Sequence, residues 1–216
     1  MRKFAVLLTA GILFGWTSGL QAAEPYPPAW WAPVPTNTAA AWEVLPQAAR
    51  PGEVILSKRT ELGILSNIAP TPFTLDGEPY ASVEGFWQML KYPEDPGDER
   101  CQDSSVVWPH TRAEVAAMSG FEAKAAGNIA NENLKKLGIR WVTYQGEQID
   151  RRENAKGDFY HLIRRAMQAK HGQNPQVAEI LKKTGTLQLL PDHHQGPDAP
   201  PAERYYEIWM EIRGQP

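Results

Sequence analysis

The stretch Ser82 to Lys91 (SVEGFWQMLK) sets Glu84, Gln88 and Lys91 at spacings of four and three residues. On a helix these three fall within about 60° of one another at 100° per residue. Phe86, Met89 and Leu90 take the opposite side. One face is then core, and the other presents a carboxylate, an amide and an amine in a row. A carboxylate is a group for acid–base or electrostatic catalysis, and an amine of depressed pKa is a nucleophile. Spacing alone equally describes a solvated face, whose side-chain pairs are worth only about 0.2–0.5 kcal/mol. Two loops are able to meet this helix. One holds Leu65-Ser66-Asn67, where an Asn also serves simply to cap a turn. The other holds Asp192-His193-His194. Adjacent histidines point in different directions, so only one of them could join Asp192 on a metal. No further Cys or His has ligand spacing, and no metal site is expected.

The elements that must position these residues read as an α+β fold: a mostly helical single domain with a small antiparallel sheet or hairpins. Val54 to Leu56 is a short buried strand. Asp76-Gly77 sits between two β-prone runs in PFTLDGEPY, a hairpin signal. Ser82 caps a helix expected to run to about Tyr92. A Pro- and Asp-rich loop follows to Asp103, then short helices over Arg112–Met118 and Phe121–Ala126, split by Gly120. Trp141 to Tyr144 is a strand with a turn at Gly146. The longest helix is expected over about Asn154–Lys170, with Phe159, Leu162, Ile163, Ala166 and Met167 as its buried stripe. Asn174-Pro175 opens the next helix, which ends at Gly185. Leu187–Leu190 is a strand, residues 191–202 a loop, and Glu203–Arg213 the last helix.

The segment Ile64 to Lys91 (ILSNIAPTPFTLDGEPYASVEGFWQMLK) resembles the opening of the NADAR, or YbiA-like, family. That family shows an LSNF-like segment, a short hairpin, and a helix with an S-x-E-x-x-x-Q-x-x-K pattern. Leu65, Ser66 and Asn67 match the first motif, with Ile68 in place of Phe, and Val83, Glu84, Gln88 and Lys91 follow the helix pattern. RRAMQAK (164–170), Asn174-Pro175, LKKTG (181–185) and WMEIR (209–213) are similar to later segments of the family. The family's Trp-Gly pair and Asn-x-Leu-Gly turn are absent from 190–209, where Asp192 stands for the acidic residue before the Trp-Gly pair. Ala155 stands where a Trp is common.

The resemblance implies an N-glycosidase acting on the base–ribose bond of a phosphorylated riboside or an ADP-ribose-linked substrate. Glu84 would be the electrostatic or acid–base residue, and Lys91 an accessory or covalent amine. Ser66, Asn67, Gln88 and Asp192 would bind substrate. Trp87 would stack on the base, or belong to the core. No metal or redox cofactor is implied, and the partner is a small riboside or nucleotide-like ligand. Two other readings stand beside it. The altered 191–204 loop suits a non-catalytic nucleotide-sugar-binding module. Trp30-Trp31 suits a structural envelope protein, though docking of the pair on its own domain explains it as well.

The N-terminus reads as a cleavable export signal. Arg2 and Lys3 precede an uncharged run from Phe4 to Trp16, too short to span a bilayer, and small residues follow at Ala22 and Ala23. The mature protein is therefore expected in the periplasm or secreted. Removing residues 1–22 takes away two basic residues and no acidic one, which moves the net charge from −3 to −5. Such a charge does not indicate nucleic-acid binding, and no later segment is apolar enough to span a membrane. A Pro-rich arm covers 23–52 and the domain 53–216. Cys101 is the only cysteine, so no intrachain disulfide can form.

Overall fold

The structure, a computed structural model, describes residues 26–215. The export signal read at 1–22 lies outside the described residues. Strand β1 (Glu53–Ile55) is followed by the hairpin β2 (Phe73–Leu75) and β3 (Glu78–Tyr80). Helices α1 (Val83–Met89), α2 (Arg112–Ala116) and α3 (Gly120–Lys136) come next, then the hairpin β4 (Trp141–Tyr144) and β5 (Glu147–Asp150). Helices α4 (Asp158–Gln173) and α5 (Pro175–Lys183), strand β6 (Gln188–Leu190) and helix α6 (Tyr205–Arg213) complete a mostly helical α+β domain.

Both hairpins turn on residues whose backbone is left-handed. Asp76 and Gly77 have φ of 51° and 89°, and Gln145 and Gly146 have 53° and 81°. Two successive positive φ angles match the right-handed twist of the flanking strands, which is why Asp-Gly is a strong hairpin signal. The third strand pair is parallel and joins the ends of the domain, with Val54 opposite Leu189 and Ile55 opposite Leu190. Its partners lie far apart in sequence, as a parallel pair requires of its crossover.

Helix α4 runs through the core: its Phe159, Ile163, Ala166 and Met167 are buried and belong to one cluster with Leu62, Leu65, Phe86 and Trp209 among others. It begins at Asp158 rather than near Asn154, and it is one residue shorter than α3. That α3 is the longest helix corrects the expectation of a short Phe121–Ala126 segment. Its buried positions are Ala123, Ala126, Gly127, Ala130, Asn133 and Leu134. Small residues at helical spacing pack closely yet register weakly as an apolar stripe.

Residues 26–52 lie against the domain. Trp30 is in the core cluster and donates its indole N–H to Glu61 Oε1 at 2.9 Å. The Trp31 indole donates to the Glu53 carbonyl at 2.9 Å. Among the described residues no helix is long and apolar enough to cross a membrane.

Candidate functional site

Helix α1 is placed by its ends. The Ser82 hydroxyl accepts from the Gly85 amide at 2.9 Å and donates to the Met118 carbonyl at 3.0 Å, capping α1 and tying it to the end of α2. A Cβ on Gly85 would lie 2.4 Å from the Met118 oxygen, so only glycine allows this approach. At the other end Arg100, fully buried, donates to the Leu90 and Lys91 carbonyls at 3.2 and 3.1 Å. It is held by Asp98 through contacts of 2.9 and 2.6 Å and by Thr143 Oγ1 at 2.6 Å. The helix stops at Met89, not at the expected Tyr92. Lys91 sits in the turn that follows, where its amide donates to the Gln88 carbonyl at 3.2 Å.

The face carrying Glu84, Gln88 and Lys91 is not solvated. The three residues are 8%, 7% and 3% exposed. Helix α3 covers them: a Cβ on Gly127 would fall 2.0 Å from Gln88 Oε1. Within this cover the side chains form a chain. Lys91 Nζ donates to Gln88 Oε1 at 2.5 Å, and Gln88 Nε2 donates to Glu84 Oε1 at 2.7 Å. The amide thus stands between amine and carboxylate. Burial, joined by the cationic Arg151, pushes the Lys91 amine down from 10.5 to about 7, with Glu84 opposing. The neutral form of this amine is therefore far more accessible at neutral pH than that of a free lysine.

The Leu65-Ser66-Asn67 segment meets this row from below. The Trp209 indole donates to the Leu65 carbonyl at 2.7 Å, and Lys170 Nζ donates to the Ser66 carbonyl at 2.8 Å. The Asn67 carbonyl accepts from the Glu84 amide at 2.8 Å. Lys170, fully buried beside the Trp209 ring, also has its amine lowered to about 7 by desolvation. Sequence reading treated Lys170 only as part of a helix. Its role in holding the Ser66 carbonyl depends on a fold contact that spacing does not disclose.

Ser66, Asn67, Glu84, Trp87, Gln88, Lys91 and Asp192 all line one cleft of about 660 Å³. Trp87 is half-buried, edge-on to Phe159 with ring centroids 5.2 Å apart, and still reaches the cleft wall. Asp192 is buried and ion-paired to Lys58, with His193 Nδ1 at 3.4 Å. Burial alone would raise its carboxyl pKa, but hydrogen bonds from His193 and Lys58 outweigh burial and hold it below the usual value. Among the described residues no three His, Cys, Asp or Glu side chains cluster as metal ligands do.

The cleft also has walls that sequence reading missed. Phe121, Lys124, Ala125, Asn128 and Asn131 line it from α3, at the spacing of one helical stripe. The 121–131 pattern was legible in principle, had the helix been extended past Ala126. Arg151 and Arg152 after β5, and Trp42 and Lys58 near the arm, have no local pattern that marks them. Five basic side chains (Lys58, Lys91, Lys124, Arg151, Arg152) face three carboxylates (Glu84, Asp192, Glu203) there, in a chain of net charge −3. Buried polar atoms without a hydrogen-bond partner gather on the same walls: Asn67 Oδ1, Asn131 Oδ1, Gln195 Oε1 and Arg151 Nε. Such groups are costly to leave unmet, so a cleft that collects them suits a polar ligand.

No family model and no curated protein matches the chain. Among solved structures it is similar to the NMR structure of the E. coli protein YbiA, at 19% sequence identity and a TM-score of 0.45, over 74% of this chain and 82% of that one.

Proposed function

We propose that the protein hydrolyses the N-glycosidic bond between a base and ribose, in a phosphorylated riboside or an ADP-ribose-linked substrate. The observation that carries this reading is the buried Lys91–Gln88–Glu84 chain on the wall of a locally cationic cleft. The residues forming it are those on which the resemblance to riboside N-glycosidases rests.

Cleavage of the C1′–N bond leaves the electron pair on the base and an oxocarbenium-like centre at C1′. Glu84 would stabilise that positive charge and take the proton of the attacking water, whose oxygen bonds to C1′. Its Oε1 is fixed by Gln88, which aims the carboxylate and stops Lys91 from pairing with it directly. Lys91 would act as the accessory amine. In its neutral form it can instead bond to C1′ as the C1′–N bond breaks with its electron pair on the base. The ring then opens to a Schiff base, which water hydrolyses to the free sugar and the amine. Arg151, Arg152 and Lys124 would take the phosphate, and Asn67 and Asn131 would accept from hydroxyl or ring N–H groups. The export signal read at 1–22 would place the reaction outside the cytoplasm, which N-terminal sequencing of the cell-derived protein checks.

Product analysis tests the reading. The protein is incubated with NAD, an ADP-ribosylated guanine nucleotide and a ribosylaminopyrimidine phosphate, and free base is separated by chromatography. Release from at least one of them by the wild type, and not by Glu84→Gln, is expected. Saturable binding with no release by either protein would leave a binding module in its place.

A further inference from the structure

Trp42 and Phe121 are 44% and 60% exposed, two of the few large apolar side chains left open among the described residues. They come from different parts of the chain, the N-terminal arm and the first turn of α3. Their ring centroids are nonetheless only 6.3 Å apart, with planes tilted by 56°. Both rings line the cleft that holds Glu84 and Lys91. They form an open aromatic corner on its rim.

On the Trp42 side, the backbone of the corner is tied to the domain. The Trp42 carbonyl accepts from the His194 amide at 3.1 Å, and the Val44 amide donates to the Asp192 carbonyl at 2.9 Å. Arg59 grips Glu43 through two contacts of 2.6 and 2.8 Å. Lys58 Nζ lies 5.2 Å from the centre of the Trp42 ring and also pairs with Asp192. A Trp whose backbone is tied down in this way leaves less of the entropy cost of ordering the arm to the binding step. From Phe121 the α3 stripe continues through Lys124 and Asn128 to Asn131. Apolar ring faces therefore give way to a cation and then to amides along a single path.

We propose that Trp42 and Phe121 are a ring-stacking subsite, taking a planar heteroaromatic ring on the part of the ligand remote from Glu84 and Lys91. The Pro-rich arm is then part of the binding site and sets which ligands the cleft accepts. A ring stacks on one of the two side chains and meets the other edge-on, the arrangement that aromatic quadrupoles favour. The inference rests on the riboside reading for the choice of probe alone.

Equilibrium binding by calorimetry tests it, with AMP and ribose 5-phosphate as a pair that differ only in the ring. The full chain is compared with Trp42→Leu and Phe121→Ala, each first checked for an unchanged thermal melt. AMP is expected to bind the wild type more tightly than ribose 5-phosphate. Each variant should weaken AMP by about ten-fold, the scale of one lost base stack, and leave ribose 5-phosphate within about two-fold. Phe121→Tyr, which keeps the ring, should restore AMP binding. Equal affinity of the wild type for the two probes, binding of neither, or equal loss of both in the variants would overturn the subsite. The glycosidase reading fails on a different result, the absence of base release, so the two can fall separately.

Discussion

Lys91 carries the most informative single side chain in the molecule, because its burial has two measurable consequences. Its amine titrates near 7 in the folded chain and near 10.5 when unfolded. Between those values the unfolded state binds more protons, so this residue makes stability rise with pH across the window. Its cost is present in full below about pH 7 and gone above about pH 10.5. Lys91→Met should therefore gain stability relative to the wild type at pH 6, by up to a few kcal/mol, with the difference shrinking toward pH 10. Paired thermal melts at the two pH values check this, and a difference that does not depend on pH would refute it. In turnover the sign follows from the neutral amine: the rate should rise through an apparent pKa of about 7. Borohydride should trap a sugar adduct on the wild type and not on Lys91→Met.

At the scale of elements, the site depends on how closely α3 covers α1. Gly127→Ala puts a methyl group where Gln88 Oε1 lies, and the amide must swing away and break the chain to Glu84 and Lys91. Glu84, Gln88 and Lys91 are buried and lose their partners, so a stability loss of about 1–3 kcal/mol is expected. Base release should fall at least ten-fold, measured beside a thermal melt. Arg100 is the opposite case. It is buried, paired to Asp98 and clamped on the carbonyls at the end of α1. Arg100→Met should cost about 3–5 kcal/mol by leaving Asp98 and those carbonyls unmet, read from the denaturant midpoint. The sequence disclosed α1, its Ser82 cap, the Asp-Gly hairpin and the apolar stripe of α4, since each rests on local chemistry. It concealed the length of α3 because the buried side there is Ala, Gly and Asn apart from Leu134. For the same reason the Glu84 row was as consistent with a wet surface as with a site. Only the tertiary cover of small residues decides between them.

For the molecule as a whole, the arm, the domain's two ends and the cleft are one structure. Strand β1 pairs with β6, and Trp30 fills the core beside them. Trp30→Ala should lower stability by about 3–5 kcal/mol, as removal of a buried aromatic does, although the arm reads in sequence as a linker. The same arm carries Trp42 to the rim of the cleft, and its backbone bonds to the 192–194 segment. Asp192 and its neighbours form the wall of the cleft that the arm buttresses, so changes in the arm are expected to alter which ligands bind.

The most direct measurement sets rate against affinity at Glu84. Base release and equilibrium binding are followed on the same riboside for the wild type and Glu84→Gln. A reaction centre at the Glu84–Gln88–Lys91 row predicts a rate lowered by about 10²–10³-fold, the scale of a lost electrostatic contact to the transition state, with affinity changed by only a few-fold. A Glu84→Gln variant that releases base at the wild-type rate would contradict it.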